Sequence, residues 1–268
     1  MKLTVLVDNN TFSDNHFYGE PGLSYFIETN NQNILFDLGF SDLYLKNAKK
    51  LNIDLAKTNT IILSHGHNDH TQGLKFFPTL AKKINLITHP DCLLAKYMGN
   101  EYIGSPVLKN QARNRFNYFE TKQPYFINSK TVFLGEIKEK YHFEARKPIG
   151  IIIKNKKKQG DLLLDDSALA IKTKKGVVVI TGCSHSGICN IINQAREVFK
   201  IKKVYSVIGG FHLRQEGKSK LKKVAEVLKD NVSGIIYPAH CSDFEAKCYL
   251  SKQLKTKPVF VGREISFN

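Results

Sequence analysis

Along the first third of the chain, apolar residues come in short runs broken by turn residues. Residues 3–7, 23–27 and 34–36 are bounded by Asn, Gly and Pro and predict strands. Between Asp42 and Leu51 the period changes. Leu45, Ala48 and Leu51 fall three apart, as one face of a short helix requires. Residues 60–63 (Thr-Ile-Ile-Leu) then predict a compact buried strand that runs straight into Ser64-His65-Gly66-His67. A helix is expected next, followed by a strand at 84–88 that ends in His89-Pro90.

The regular pattern fades between about 91 and 160, a stretch rich in Lys, Asn, Tyr and Phe that contains Pro106, Pro124 and Pro148. It is expected to be an irregular insertion that forms a substrate-pocket wall within a single domain spanning 1–268. After Asp165 the pattern returns. Residues 168–172 and 177–180 predict a hairpin across Thr173-Lys174-Lys175-Gly176. Ile188, Ile191, Ile192, Ala195 and Phe199 mark one helix face, and Leu221, Val224, Ala225 and Leu228 another. Strands are expected at 204–208 and 234–237. Four apolar strands thus each end in a turn that delivers a histidine: His65, His185, His212 and His240. Sheets covered by helices gather their ligands at such strand ends. The run into Ser64-His65 also echoes the run into Ser184-His185, a faint internal repeat.

Composition narrows the classes. Of 268 residues, 42% are hydrophobic, which fits a folded globular chain. The start is too short and too soon interrupted by Asp8 for a signal peptide, and no apolar run approaches a membrane span. A cytoplasmic protein without a membrane partner is the expectation. Five cysteines at irregular spacings read as reduced thiols. The net charge of +16 is mostly Lys and diffuse. It is read either as a plain solvated surface or as a field for a small anionic substrate, the latter over a nucleic acid because Arg and aromatics are not interleaved into a binding motif. Oligomeric state is not legible.

The chemistry concentrates in Ser64-His65-Gly66-His67-Asn68-Asp69-His70-Thr71. Directly after a buried strand, a tight loop of this kind can aim His65 and His67 at one metal and Asp69 and His70 at another, with Gly66 giving the backbone freedom to fold back. Imidazoles with one carboxylate suit zinc first, then iron or manganese, over magnesium or calcium.

His65-Gly66-His67-Asn68-Asp69-His70 resembles the His-x-His-x-Asp-His signature of the metallo-β-lactamase superfamily. Phe36-Asp37-Leu38-Gly39 and Pro238-Ala239-His240 are similar to its upstream Asp and final ligand motifs. The resemblance implies an α/β fold, an αββα sandwich of two mixed β-sheets with helices on both outer faces. It also implies two divalent metal ions at one edge. Gly22-Leu23-Ser24, 165–170 (Asp-Asp-Ser-Ala-Leu-Ala), 181–187 (Thr-Gly-Cys-Ser-His-Ser-Gly), 209–213 (Gly-Gly-Phe-His-Leu) and His240-Cys241 resemble a narrower subgroup. Its members are named 7,8-dihydropterin-6-yl-methyl-4-(β-D-ribofuranosyl)aminobenzene 5′-phosphate synthase-like. Where many superfamily members carry a bridging Asp, this chain has Cys183, with His185 two residues on. His185 and His240 are expected as ligands, Cys183 as a soft group at or beside the metal. Asp165 or Asp166 is an alternative carboxylate.

The implied activity is a metal-dependent hydrolase that uses metal-activated hydroxide on a small anionic substrate, phosphate-containing and pterin-like. Asp69 would orient the nucleophile and manage its proton, and His212 would contact substrate, relay a proton or orient a ligand from behind. Asp37 is expected to orient a ligand, and His89 to be structural. His16 and His142 are expected at the surface and Cys189 in the packing. Two rivals stand beside this reading: a nucleic-acid phosphodiesterase of the same fold, and a non-hydrolytic iron-binding or redox protein tuned by Cys183 and Cys241.

Overall fold

The computed structural model describes residues 1–30 and 32–267. In chain order the elements are β1 (Lys2–Val7), β2 (Ser24–Glu28), β3 (Asn33–Phe36), α1 (Leu43–Lys50), β4 (Thr60–Ile62), α2 (Asn68–Thr71), β5 (Asn85–Thr88), β6 (Lys96–Met98) and β7 (Glu101–Tyr102). They continue with α3 (Lys109–Arg115), β8 (Asn117–Glu120), β9 (Tyr125–Asn128), β10 (Thr131–Phe133), β11 (Ile151–Lys154) and β12 (Lys157–Gly160). The last third holds β13 (Ala168–Thr173), β14 (Gly176–Thr181), α4 (Ile188–Phe199), β15 (Ser206–Gly210), α5 (Lys218–Asn231), β16 (Ile236–Ala239), α6 (Phe244–Gln253) and β17 (Glu264–Ser266).

The chain divides into two compact units. One comprises Met1–Lys122, Lys147–Asp165 and Phe260–Phe267; the other comprises Gln123–Arg146 and Asp166–Val259. The first unit is built on a mixed seven-stranded sheet in the order β17-β1-β2-β3-β4-β5-β8. Strands β3, β4, β5 and β8 run parallel, so their C-terminal ends share one edge. That edge carries Asp37 after β3 and the histidine loop after β4. Leu35, Ile61, Leu63, Leu74 and Leu86 form the centre of this unit's core with Tyr44 and Ala48 of α1. Burying apolar surface in this way is the main force that holds the sheet to its helix. A separate antiparallel sheet, β12-β11-β6-β7, belongs to the same unit.

The second unit has a mixed six-stranded sheet, β16-β15-β14-β13-β10-β9. β13 and β14 form the expected hairpin, with Ala168 opposite Thr181 and Thr173 opposite Gly176. β14, β15 and β16 are parallel neighbours. Their C-terminal ends therefore deliver three turns, 182–185, 211–212 and 240–241, to one edge. Ile188, Ile191, Ile192 and Ala195 of α4 and Leu221, Val224, Ala225 and Leu228 of α5 are the buried faces, as their spacing predicts. They join Val179, Val207 and Ile236 in one core.

Residues 91–160 are more regular than their sequence suggests, holding seven strands and α3. Their strands span only two to four residues, and β12 is exposed along its whole length. So short a strand exposed on both faces leaves no alternating signal to detect. Between the histidine loop and β5 the expected helix is replaced by a 3-10 turn, Gln72–Phe76, which ends before Pro78. No helix among the described residues is long and apolar enough to cross a membrane.

Candidate metal centre

In the first unit the histidine loop is organised by one buried carboxylate. Asp37 leaves β3 in a left-handed conformation, φ 54°, an unusual state for a non-glycine residue and one that tends to mark functional sites. Its Oδ1 accepts the Ser64 N–H at 2.7 Å and its Oδ2 accepts the Ser64 hydroxyl at 2.7 Å. The same Oδ2 lies 2.8 Å from His70 Nδ1. A carboxylate only accepts, so His70 carries a proton on Nδ1, and in the neutral ring Nε2 is the lone pair. The Ser64 hydroxyl has given its hydrogen to Asp37 and stands 2.9 Å from His65 Nδ1. It must therefore accept there, which leaves His65 with its Nε2 lone pair as well. One carboxylate sets the tautomers of two histidines.

The remaining donors follow. His70 Nε2 faces Asp69 Oδ2 at 3.5 Å. A lone pair turned towards a carboxylate oxygen is the pairing that a divalent cation satisfies. His67 caps α2 with extended backbone, and burial pushes its pKa down to about 4, so it is a neutral imidazole at pH 7. The His65 and His67 rings sit 4.7 Å apart and edge-on, with donor atoms within 4.8 Å of each other. Gly66 between them packs against Cys92, where a Cβ would come within 2.1 Å of the Cys92 carbonyl oxygen. No other residue type fits there without a backbone shift. Neutral imidazoles and one carboxylate held in set orientations are a donor set for zinc, iron or manganese, and the residues present fit that group.

In the second unit the three turns at the parallel strand ends bring together the remaining candidates. Ser184, His212 and His240 each adopt positive φ, at 61°, 50° and 45°. Cys183 and His240 have donor atoms within 4.8 Å of each other. The His185 and His212 rings lie 4.4 Å apart. Cys241 ties the turns: its Sγ accepts the His212 N–H at 3.3 Å and points its thiol at the Cys183 carbonyl at 3.4 Å. Burial holds the pKa of His212 below the ordinary imidazole value, with the Lys220 and Arg214 charges acting in the same direction.

Of the two alternative carboxylates, Asp165 has both oxygens engaged, whereas Asp166 uses Oδ2 alone and its buried Oδ1 accepts no hydrogen bond among the described residues. Asp165 accepts the Gly66 N–H and the Lys96 ammonium, one on each oxygen. Asp166 accepts the backbone N–H and the hydroxyl of Ser186, and burial pushes its pKa up to about 6. His89 serves the backbone, its Nδ1 accepting the Asp91 N–H at 3.0 Å. His142 is exposed and His16 lies at the surface, while Cys189 is fully buried. Sequence reasoning overlooked Ser64, Lys96 and Asp161. Ser64 was legible in principle, since a hydroxyl beside the first histidine can relay a carboxylate.

Comparisons with known proteins agree with this architecture. The family model described as the metallo-beta-lactamase superfamily matches residues 18–199. A Methanocaldococcus jannaschii protein, "Uncharacterized protein MJ0448", is 33% identical over 93% of this chain and 94% of its own length. A second protein of that organism is 31% identical over 100% of this chain and 97% of its own length. It is named 7,8-dihydropterin-6-methyl-4-(beta-D-ribofuranosyl)-aminobenzene-5′-phosphate synthase. Among solved structures, Tm1679, described as a metal-dependent hydrolase of the beta-lactamase superfamily, superposes with a TM-score of 0.86 at 29% identity. That match covers 100% of this chain and 99% of the other. Human tRNase Z, short form, shares the fold alone, at TM-score 0.53 and 12% identity. A family model that spans most of the chain, with relatives matched almost end to end, places this α/β protein in the metallo-β-lactamase superfamily.

Proposed function

We propose that the chain is a metal-dependent hydrolase of a small anionic, phosphate-containing substrate that uses two divalent ions. In the first unit His65 and His67 would hold one ion and Asp69 and His70 the other. In the second unit His185 and His240, with Cys183 as a soft group, are the remaining candidate ligands. The observation that carries this reading is the Asp37 network, which fixes His65 and His70 in the tautomers that metal binding needs. Zinc is the first expectation. The Cys183 thiol favours zinc or iron over manganese.

When bound, divalent ions supply Lewis acidity and acidify water enough to make a nucleophile at neutral pH. The chain's own groups do the rest. Asp69, its side chain 29% exposed, orients the nucleophile and holds the proton released at its carboxylate. His212 is neutral at pH 7 because burial disfavours its charged form. It offers one N–H and one lone pair, to bond an anionic substrate oxygen or move a proton to the leaving group. The net charge of +16 raises the local concentration of anions.

The phosphate and the pterin-like ring rest on the name of the full-length relative, which is a synthase. That name favours a second reading, in which the same centre joins two substrates instead of cleaving one. The test is to assay metal-loaded protein against a panel of phosphate monoesters and diesters. In parallel it is offered a dihydropterin whose 6-methylene carries a diphosphate, which leaves as the new bond forms, with 4-(β-D-ribofuranosyl)aminobenzene 5′-phosphate. Metal-dependent release of phosphate or alcohol supports the hydrolase; a coupled product with no ester turnover replaces it with the synthase.

A further inference from the structure

Behind the histidine loop lies a buried ion cluster that the reaction does not use. Lys96, on β6, is fully buried. Its ammonium reaches Asp161 Oδ2 at 2.6 Å and Asp165 Oδ1 at 2.9 Å. Burial alone would push the Lys96 pKa down, yet the two carboxylates hold it above its ordinary value. Asp165 is likewise kept below the usual carboxylate range, burial being outweighed by the Lys96 charge. The far oxygen of Asp165 accepts the Gly66 N–H at 2.8 Å. The aliphatic stem of Lys96 also packs on Gly66, where a Cβ would come within 2.8 Å of Lys96 Cε. One strand further on, the Ile103 carbonyl accepts the Asn68 N–H at 2.8 Å, and Ile103 itself bonds the Lys96 carbonyl at 3.0 Å. The His65–Gly66 and His67–Asn68 peptides are thus each held by an acceptor on this side of the loop, Asp165 and the Ile103 carbonyl.

We infer that Lys96 and Asp165 are positioning residues that clamp the His65-Gly66-His67 peptide, so that both imidazoles are held in their metal-binding orientation before any ion arrives. A carboxylate suits this task and an amide does not. Lys96 Nζ and Gly66 N–H are both donors, and they approach opposite oxygens of Asp165. An Asn offers one acceptor oxygen, and its NH2 would face the other donor. The inference rests on the metal-centre reading above, and it adds a role that neither residue needs for folding alone. Groups that orient ligands from behind typically control metal affinity by about 10- to 100-fold.

Zn²⁺ affinity of the metal-free full chain, measured by competition with a chromophoric chelator, tests it. Asp165→Asn should bind Zn²⁺ about 10-fold or more weakly than the unmodified chain. Removing Lys96 alone leaves two buried carboxylates unpaired and threatens folding. A triple variant, Lys96→Met with Asp161→Leu and Asp165→Leu, replaces the whole cluster with apolar groups, a change buried ion clusters tolerate. It should unfold at a denaturant midpoint near that of the unmodified chain and still bind Zn²⁺ weakly, because Gly66 has lost its acceptor. A merely structural cluster predicts the opposite, affinity recovering together with stability. Equal affinity in Asp165→Asn and the unmodified chain, or full affinity in the triple variant, overturns the clamp alone. An unmodified chain that binds no Zn²⁺ overturns the metal-centre reading and the clamp with it.

Discussion

Asp37 Oδ2 accepts from His70 Nδ1 at 2.8 Å and from the Ser64 hydroxyl at 2.7 Å, and through that hydroxyl it reaches His65. Asp37 is not among the proposed ligands, yet it sets which nitrogen of each histidine carries the proton. Asp37→Asn places an NH2 against at least one of these donors. It should weaken zinc binding by about 10- to 100-fold while leaving the secondary structure intact. Chelator competition beside circular dichroism checks this; unchanged affinity would remove Asp37 from the account.

His212 and His240 leave neighbouring parallel strands in the same left-handed conformation but are assigned different tasks. His240→Ala should lower the metal content per chain. His212→Gln should leave metal content unchanged and lower kcat by about 100-fold or more, the scale of a lost proton-transfer group. Metal loss in His212→Gln would make it a ligand instead.

Glu144 gives a pH signature away from the site. It is buried, and its Oε2 accepts the Cys189 N–H at the start of α4 at 2.8 Å. Burial pushes its pKa up to about 7. The folded value lies above the unfolded one of about 4.3, so folding takes up a proton between those values. Stability from this group is therefore greatest below about pH 4.3 and is lost as pH rises to about 7, by about 4 kcal/mol. Glu144→Gln keeps the acceptor and cannot ionise. Urea unfolding of the two proteins should show the variant gaining on the parent as pH rises from about 4.5 to 8. A stability difference independent of pH would mean that Glu144 is not buried as described.

Much of the fold was legible because its elements carry strong periodicity. α4 and α5 bury the residues their spacing marks, except Phe199, which is only partly buried, and four strands end in histidine turns as expected. The four-stranded sheet was hidden, since β7 is two exposed residues and β12 is Lys-Lys-Gln-Gly. α6 went unseen because it buries only Ala246 and Leu250 and leaves Phe244 75% exposed. At the site, the histidine loop and the Asp37 behind it were legible as motifs, and the Lys96 cluster was not. Lys96 looks like any surface lysine, and the carboxylates that bury it lie 65 and 69 residues further along. Only the folded chain reveals that pairing.

The central claim is that the histidine loop loads metal. Elemental analysis of protein purified without chelator, beside His65→Ala and His67→Ala, tests it most directly. The account predicts about two equivalents of zinc, iron or manganese per chain, strongly reduced in both variants, whose circular dichroism stays that of the parent. Protein free of transition metal, or variants that keep the full complement, would contradict it.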